Sequence, residues 1–191
     1  MSKDYWKEPS ADNFPILYAD KPFNYSFYRQ LDGRVRDLIK DIDYTRYDEG
    51  IYVGYRYFNT FNKRAIAYPF GHGLSYTDFK FGKMKVEETE GGWNVTVNVK
   101  NIGKVAGKDA VQLYVKAPRK GLDKPERELK GFAKTPMLNP GESCDVTIFI
   151  SRESLASYDE ASGSWVTAKG RYTFIAAKDA LDNSRKRRIR L

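Results

Sequence analysis

The sequence contains only one cysteine and one histidine. A single cysteine can form neither an internal disulfide nor a cysteine-based zinc site, because such a site needs several ligands. One histidine also argues against a histidine-rich metal centre and a Cys–His catalytic pair. The cysteine, Cys144, alternates with Val146, Ile148 and Ile150, which places all four on one strand face. We therefore interpret Cys144 as a core residue and expect no metal and no cofactor.

Long apolar runs are also missing. No stretch approaches the roughly 20 apolar residues that a membrane-spanning helix needs. The N-terminal Met-Ser-Lys-Asp-Tyr-Trp has no apolar run after its charges, so it does not have the pattern of a signal peptide. We expect no membrane partner for this chain, and its localisation stays open.

Acidic residues are outnumbered, and the formal net charge is +8. A basic surface could bind nucleic acid, but such binding needs clustered charge, and only residues 185–190 form a dense basic run. Arg187, Ile189 and Leu191 would share one face of a strand there. Outward basic residues also discourage edge-to-edge pairing. We favour an edge strand over a nucleic-acid site, since no interleaved RNA-binding aromatic motif accompanies the run.

The aromatic content is high, at 15%, and favours strands. From residue 77 onward, short alternating segments are separated by turn signals such as Asn139-Pro140-Gly141, with a helical turn possible in 151–159. This pattern predicts an antiparallel, immunoglobulin-like β-sandwich with one wet face on each sheet. The predicted strands are 79–89, 93–100, 110–117, 129–134, 143–150, 164–168, 170–177 and 186–191, with 164–168 and 170–177 in one hairpin region.

The residues before Ser75 follow a different pattern. Helical spacing of apolar residues predicts a short helix over 28–42. Residues 51–58 have large apolar or aromatic side chains at both odd and even positions. In a strand these would lie on both faces, which predicts a strand buried between two layers. A strand of this kind should not form a free edge, so a strand-swapped dimer is one expectation.

Four motifs carry a resemblance to a known family. The most specific is Pro-Phe-Gly-His-Gly-Leu-Ser-Tyr-Thr at 69–77. The others are Glu-Gly-Ile-Tyr-Val-Gly-Tyr-Arg-Tyr at 49–57, Gly-Lys-Asp-Ala-Val-Gln-Leu-Tyr-Val at 107–115 and Glu-Leu-Lys-Gly-Phe at 128–132. In order and spacing they resemble the C-terminal region of family-three glycoside hydrolases, and the resemblance covers about residues 44–191.

The resemblance implies a division into two parts. Residues 1–75 would be an arm and linker left from an α/β-sandwich domain, and residues 76–191 a fibronectin type III-like β-sandwich. The parent would be a retaining, exo-acting β-glucosidase-like enzyme, periplasmic or secreted, whose two carboxylates lie about 5–5.5 Å apart. Those carboxylates come from a barrel and from the α/β-sandwich domain, and neither family motif is present here. A barrel alone needs roughly 200 residues or more.

The chain is therefore expected to be a non-catalytic accessory domain, inactive by itself. It would brace the catalytic barrel and α/β-sandwich domain, mediate dimer contacts, or lend the loop 118–128 to a pocket rim. The parent's substrate would be a carbohydrate. We name no catalytic residue. Glu49, Arg56 and His72 are the candidate substrate contacts, although a structural role is favoured for each.

The alternative function is an autonomous carbohydrate-binding module. It requires an exposed aromatic platform. Trp93 shares its strand face with valines and is expected in the core, whereas Trp165 begins a late strand and fits either role. A basic nucleic-acid-binding domain is the third and least favoured hypothesis.

Overall fold

The computed structural model describes Lys3 and residues 49–191, so the predicted helix over 28–42 lies outside the described part. Two antiparallel sheets pack face to face, with strand orders β1-β2-β5 and β4-β3-β8-β9, and β6 pairs with β7 in a separate ribbon. The strands are β1 Phe79–Thr89, β2 Gly92–Asn101, β3 Ala110–Lys116, β4 Glu128–Lys134, β5 Ser143–Ser151, β6 Ser157–Asp159, β7 Ser164–Val166, β8 Arg171–Ala177 and β9 Arg185–Arg190. The predicted β-sandwich is confirmed.

The sandwich core forms where the predicted alternation points inward. On β2 the inward residues are Trp93, Val95, Val97 and Val99, and each is almost fully buried. Their neighbours on β5 alternate in register with them, because Trp93 lies opposite Ile150. Cys144 packs partly buried against this core, as its strand position predicts. Burying each large apolar side chain contributes roughly 1.5–3 kcal/mol, so this layer is the main source of stability.

Asn101 fixes the turn that follows β2. It is completely buried, and its amide nitrogen donates to the carbonyl oxygens of Val105 at 2.8 Å and Leu138 at 2.9 Å. Its side-chain oxygen accepts from the Thr77 hydroxyl at 2.7 Å and from the Gly103 amide at 3.0 Å. A buried amide with all its partners in place specifies one geometry, so this residue ties the start of the sandwich to the β2 turn.

The four-stranded sheet is buried on both faces at β3. Tyr114 points away from the sandwich core, yet it is fully buried with Ile175, Ala177 and Ala180 in a second, smaller core. The ring of Tyr55 covers this core, with its centroid 5.7 Å from that of Tyr114 in an edge-to-face arrangement. Burial, and then the nearby Tyr55 hydroxyl, raise the pKa of Tyr114 well above its usual range. The segment before the sandwich thus completes its packing.

The predicted strand over 51–58 is wrong. Residues Tyr55–Phe61 form an α-helix, α1, and a 3₁₀ turn follows at Lys63–Ala65. Gly54, the residue that precedes the helix, has a φ of 57°, which glycine adopts without strain. Tyr55, Phe58 and Asn59 lie on one helical face, and Phe58 is only 5% exposed. Because aromatic residues occupy both odd and even positions here, the pattern fits a helix as well as a strand, which explains the error.

The late strands pair differently from the prediction. Ser164–Val166 pairs with Ser157–Asp159, placing Tyr158 opposite Trp165, and it does not form a hairpin with β8. The helical turn expected nearby is a 3₁₀ turn at Glu153–Leu155. β9 does lie at the edge of the four-stranded sheet, as expected for the basic run. At the start of β8, the buried Tyr172 donates its hydroxyl to the Ala168 carbonyl at 2.8 Å, a corner found in immunoglobulin-like sandwiches.

Candidate functional site

A groove of about 730 Å³ lies between the segment before α1 and the sandwich. We call it the junction groove. Three parts of the chain meet in it besides that segment: the loop 118–127, strand β4 and the β6–β7 ribbon. Its volume is within the range of ligand sites, about 300–1,000 Å³. The residues used below that line it are Glu49, Tyr52, Arg56, Asp123, Lys124, Glu128, Lys130, Tyr158 and Trp165.

Hydrogen bonds from α1 hold this groove together. The Tyr55 hydroxyl oxygen accepts from the Leu129 amide at 2.8 Å, and Asn59 donates to the Ala180 carbonyl at 2.7 Å. The Thr60 hydroxyl accepts from the amide of Glu126 at 2.9 Å. Since these bonds reach β4, the β8–β9 connection and the loop 118–127, one short helix sets the groove's walls relative to one another.

Arg56 forms an ion pair across the groove. Its guanidinium lies 3.5 Å from a carboxylate oxygen of Glu128, whose other oxygen lies 3.3 Å from the Lys130 ammonium. The Arg56 side chain is about one-third exposed. A carboxylate between two cations at a partly wet site contributes modestly to stability, about 0–1 kcal/mol for each pair.

The loop 118–127 contributes a buried ammonium group to the groove. Lys124 is only 4% exposed, and its ammonium donates to the Ser157 hydroxyl at 2.8 Å. Burial lowers the pKa of Lys124, while the negative charge of Glu128 acts in the opposite direction. This bond ties the β6–β7 ribbon to the loop.

Tyr52 and the loop residue Asp123 both line the groove. Desolvation first, and then the interaction of its hydroxyl with the Asp123 carboxylate, raise the pKa of Tyr52 to about 12. The hydroxyl therefore stays protonated at neutral pH and acts as a donor.

An aromatic pair borders the groove on the β6–β7 ribbon. Tyr158 and Trp165 are directly opposite in the ribbon, with ring centroids 5.6 Å apart and an interplanar angle of 68°. Trp165 is nevertheless 72% exposed. Trp93, by contrast, is buried in the core as predicted. The sequence left Trp165 open between a core position and an exposed aromatic position, and in the structure it is exposed.

The three candidate substrate contacts do not form one constellation. Glu49 and Arg56 both line the junction groove, and the Glu49 carboxylate has no hydrogen bond or ion pair within residues 49–191. His72 lies in a different hollow of about 440 Å³, together with linker residues and Asp109 and Asp179. Its ring packs at a tilt of 36° against that of Tyr68, with a centroid distance of 4.9 Å, and His72 is exposed. Substrate contact by Glu49, Arg56 or His72 stays a prediction.

The Glu126 carboxylate in the loop forms ion pairs with two cations. Glu126 lies 2.8 Å from the Lys116 ammonium and 2.7 Å from the Arg119 guanidinium. Burial pushes the pKa of Glu126 up, but the hydrogen bond from Lys116 and the charges of Lys116 and Arg119 outweigh it and lower that pKa. A general acid needs a raised pKa, so Glu126 is unsuited to that role.

Within the described residues, no three His, Cys, Asp or Glu side chains could together hold a metal ion.

The linker motif at 69–77 presents an apolar surface. Leu74 is 95% exposed and Tyr76 98% exposed, and Phe70 is half exposed beside them in sequence. The backbone of Phe70 is fixed on the other side, because its carbonyl accepts from the Ala180 amide at 2.8 Å. We call Phe70, Leu74 and Tyr76 the linker patch.

Within the described residues, no helix has the length and apolarity needed to cross a bilayer.

Comparison with known proteins agrees with this architecture. The sequence profile of the fibronectin type III-like domain matches residues 109–180. The chain is 36% identical over 185 residues to thermostable β-glucosidase B of Acetivibrio thermocellus, which covers 95% of this chain and 23% of that protein. It is 43% identical over 193 residues to β-glucosidase A of Butyrivibrio fibrisolvens, covering 90% of this chain and 22% of that protein.

Solved structures show the same relationship. The family-three (GH3) β-glucosidase of Bifidobacterium adolescentis superimposes with a TM-score of 0.77 at 29% identity over 96% of this chain and 24% of that one. The chain fits the C-terminal region of a family-three glycoside hydrolase. β-Glucosidase 3B of Thermotoga neapolitana, solved with glucose, gives a TM-score of 0.71 at 40% identity over 76% of this chain and 20% of that one. The chain spans about a quarter or less of the length of each of these relatives, so the match is to one part of those proteins.

Several residues that build the site were not found from the sequence. Lys124 and Tyr158 occur in segments that look solvated, and nothing local in the sequence marks Lys124 as buried. A sequence signal for the ribbon does exist. Tyr158 and Trp165 each sit in a three-residue strand, and the turn over 160–163 that joins the strands contains Ser162 and Gly163, which are typical turn residues.

The ion cluster around Glu126 generates a pH-dependent prediction. The pKa of Glu126 is lower in the folded chain than its ordinary value of 4.5. Its stabilising effect is therefore fully present above the unfolded pKa and is lost as the pH falls through the folded pKa. We expect Glu126→Gln to lower the free energy of unfolding by about 1–2 kcal/mol at neutral pH and by much less at about pH 3, measured by urea unfolding.

Glu90→Gln is the matched control, because Glu90 lies exposed in the β1–β2 turn. It should change the free energy of unfolding by less than about 0.5 kcal/mol at either pH. A loss in Glu126→Gln that is equal at both pH values would contradict the assignment of the effect to the carboxylate charge.

Proposed function

We propose that the chain serves as a non-catalytic accessory domain that braces the catalytic domains of a retaining, exo-acting, β-glucosidase-like hydrolase. The observation that carries the proposal is the linker patch. Leu74 and Tyr76 are almost completely exposed, while the Phe70 carbonyl before them and the Thr77 hydroxyl after them are hydrogen bonded to the sandwich. Rigidly held, solvent-exposed apolar residues mark an interaction surface.

The arrangement suits a brace because the junction does not bend freely. α1 is fixed to the sandwich by side-chain hydrogen bonds from Tyr55, Asn59 and Thr60. Thr77 is bonded to Asn101 on the other side of the linker. A domain that precedes α1 would therefore be held at a set orientation to the sandwich. The barrel and the α/β-sandwich domain are the partners that the family resemblance suggests.

The loop 118–128 is the part of the chain that we propose for a pocket rim. Its base is fixed by the Lys116, Arg119 and Glu126 cluster, and its tip at Lys120 and Gly121 is exposed. A loop of this kind presents its tip at a defined position on a rigid scaffold.

A homodimer remains a second way of covering the linker patch. The argument for a strand-swapped form has lost its basis, because the two-faced strand it needed is the helix α1, which packs on its own sandwich.

The linker patch provides a direct test of the bracing role. In the 191-residue chain, Leu74→Asp with Tyr76→Asp should change the free energy of unfolding by less than about 0.5 kcal/mol, because both side chains are exposed. In a longer chain that includes the preceding α/β-sandwich domain and barrel, the same pair should cost at least about 3 kcal/mol and lower Tm, since apolar burial is lost and charge is buried.

Phe149→Asp is the control, since Phe149 is an exposed aromatic on the outer face of β5, outside the linker patch. Its effect should be the same in the short and the long chain. Equal effects of the Leu74 and Tyr76 pair in both chains would show that the linker patch is not a domain interface.

Catalysis gives an independent test. The purified 191-residue chain and its Glu49→Gln variant should both fail to release chromophore from a p-nitrophenyl β-glucoside, because the sequence has neither of the family's two carboxylate motifs. A complete family-three β-glucosidase assayed in parallel verifies the substrate. Turnover in the wild type that disappears in Glu49→Gln would place an active site within this chain and contradict the accessory role.

A further inference from the structure

A second hollow adjoins the junction groove. It has a volume of about 900 Å³ and is lined by Arg152, Glu153 and Thr167, among others. Lys130, Ala156 and Trp165 line both hollows. Trp165 therefore stands where the two meet, and its exposed ring is accessible to a ligand longer than one small ring system.

The exposed ring of Trp165 is held in position. Its strand has only three residues and belongs to neither large sheet. A two-stranded ribbon is marginal in water by itself. Here the Tyr158 ring packs edge-to-face against Trp165, and the Lys124 ammonium anchors Ser157 on the same ribbon. A large apolar surface presented rigidly to solvent loses little conformational entropy when a ligand stacks on it.

The charges around the ring select against an anion. The junction groove is lined by five acidic side chains and three basic ones, and one of the acids, Glu128, is already paired with Arg56 and Lys130. Nucleic acids and other polyanions bind where cations dominate and are left free for phosphate. This balance favours a neutral ligand, even though the whole chain carries a net charge of +8.

Polar groups with spare hydrogen-bonding capacity line the same groove. The Glu49 carboxylate has no partner within the described residues 49–191, and each of its oxygens can accept hydrogen bonds. The buried Lys124 ammonium has three donors and makes one side-chain bond, to Ser157. A neutral ligand that offers both many hydroxyl groups and an apolar C–H face would satisfy the polar groups and the indole together.

We propose that the groove around Trp165 binds a neutral oligosaccharide. One pyranose ring stacks its C–H face on the indole, and hydroxyl groups of that sugar or the next donate to the Glu49 carboxylate. Trp165 and Glu49 are the binding residues, while Tyr158 and Lys124 position the ribbon. This site goes beyond the bracing role: a chain could bind sugar without bracing another domain, or brace one without binding sugar, so the two fail independently.

The test is a titration of the ¹⁵N-labelled chain with cellotetraose, followed by NMR. The chain has three tryptophans, and each gives one indole N–H signal, assigned by single Trp→Phe variants. We expect the Trp165 signal to shift in a saturable manner and the buried Trp93 signal to stay in place. Trp165→Ala, followed through backbone signals of the groove, should weaken binding by about tenfold or more, the size expected for one aromatic contact.

Glu49→Gln keeps the shape of the side chain and should weaken binding by a few-fold through the loss of a charged acceptor. Phe149→Ala is the matched control, because Phe149 is an exposed aromatic that lines neither hollow. It should bind cellotetraose like the wild type. Trp165 is mostly exposed, so its variant should fold, and circular dichroism checks this.

Three results would overturn the proposal. The first is no shift of the Trp165 signal at cellotetraose concentrations of about 10 mM, which would correspond to an interaction weaker than that of an ordinary weak ligand. The second is equal weakening by Trp165→Ala and Phe149→Ala. The third is a tighter response of the same signal to heparin than to cellotetraose, which would identify the groove as an anion site.

Discussion

The packing of α1 against the outer face of β3 is the interaction on which the rest of the structure depends. A sandwich with one wet face on each sheet would leave Tyr114 and Ile175 in water, but here both are buried beneath Tyr55. The four-stranded sheet therefore lies between two layers, with the three-stranded sheet on one side and α1 on the other. Each aromatic buried there contributes about 1.5–3 kcal/mol, so the segment before the sandwich belongs to its folding unit.

This one contact also creates the candidate site. Because α1 bonds to β4, to the β8–β9 connection and to Glu126, it sets Arg56 opposite Glu128 and opens the groove beside the β6–β7 ribbon. The same fixing leaves the linker patch pointing outward. A rigid junction with one apolar face and one polar, aromatic-edged groove can brace a neighbouring domain and offer a ligand surface at the same time.

The sandwich was predictable because its strands bury one face, and a strict alternation of period two survives in the sequence, as at Val95, Val97 and Val99. α1 was not predictable, since Tyr55, Tyr57 and Phe58 satisfy two periods at once and only the tertiary contact with Tyr114 decides between them. The pairing of Tyr158 with Trp165 was missed because each strand has only three residues, although the turn residues Ser162 and Gly163 lie between them. The candidate contacts Glu49 and Arg56 come together in space, but burial of Lys124 depends on a loop path that local composition does not encode.

Native-state hydrogen exchange of the 191-residue chain tests the central claim most directly. The reporting amides are Ala180, which donates to the Phe70 carbonyl, and Asn62, which donates to the Phe58 carbonyl at the end of α1. If the segment belongs to the folding unit of the sandwich, Ala180 should exchange nearly as slowly as Ile148 in the core, and Asn62 should be clearly protected. Exchange of both at the rate of an unfolded peptide, with Ile148 still protected, would show that the helix and linker open independently and would contradict the account.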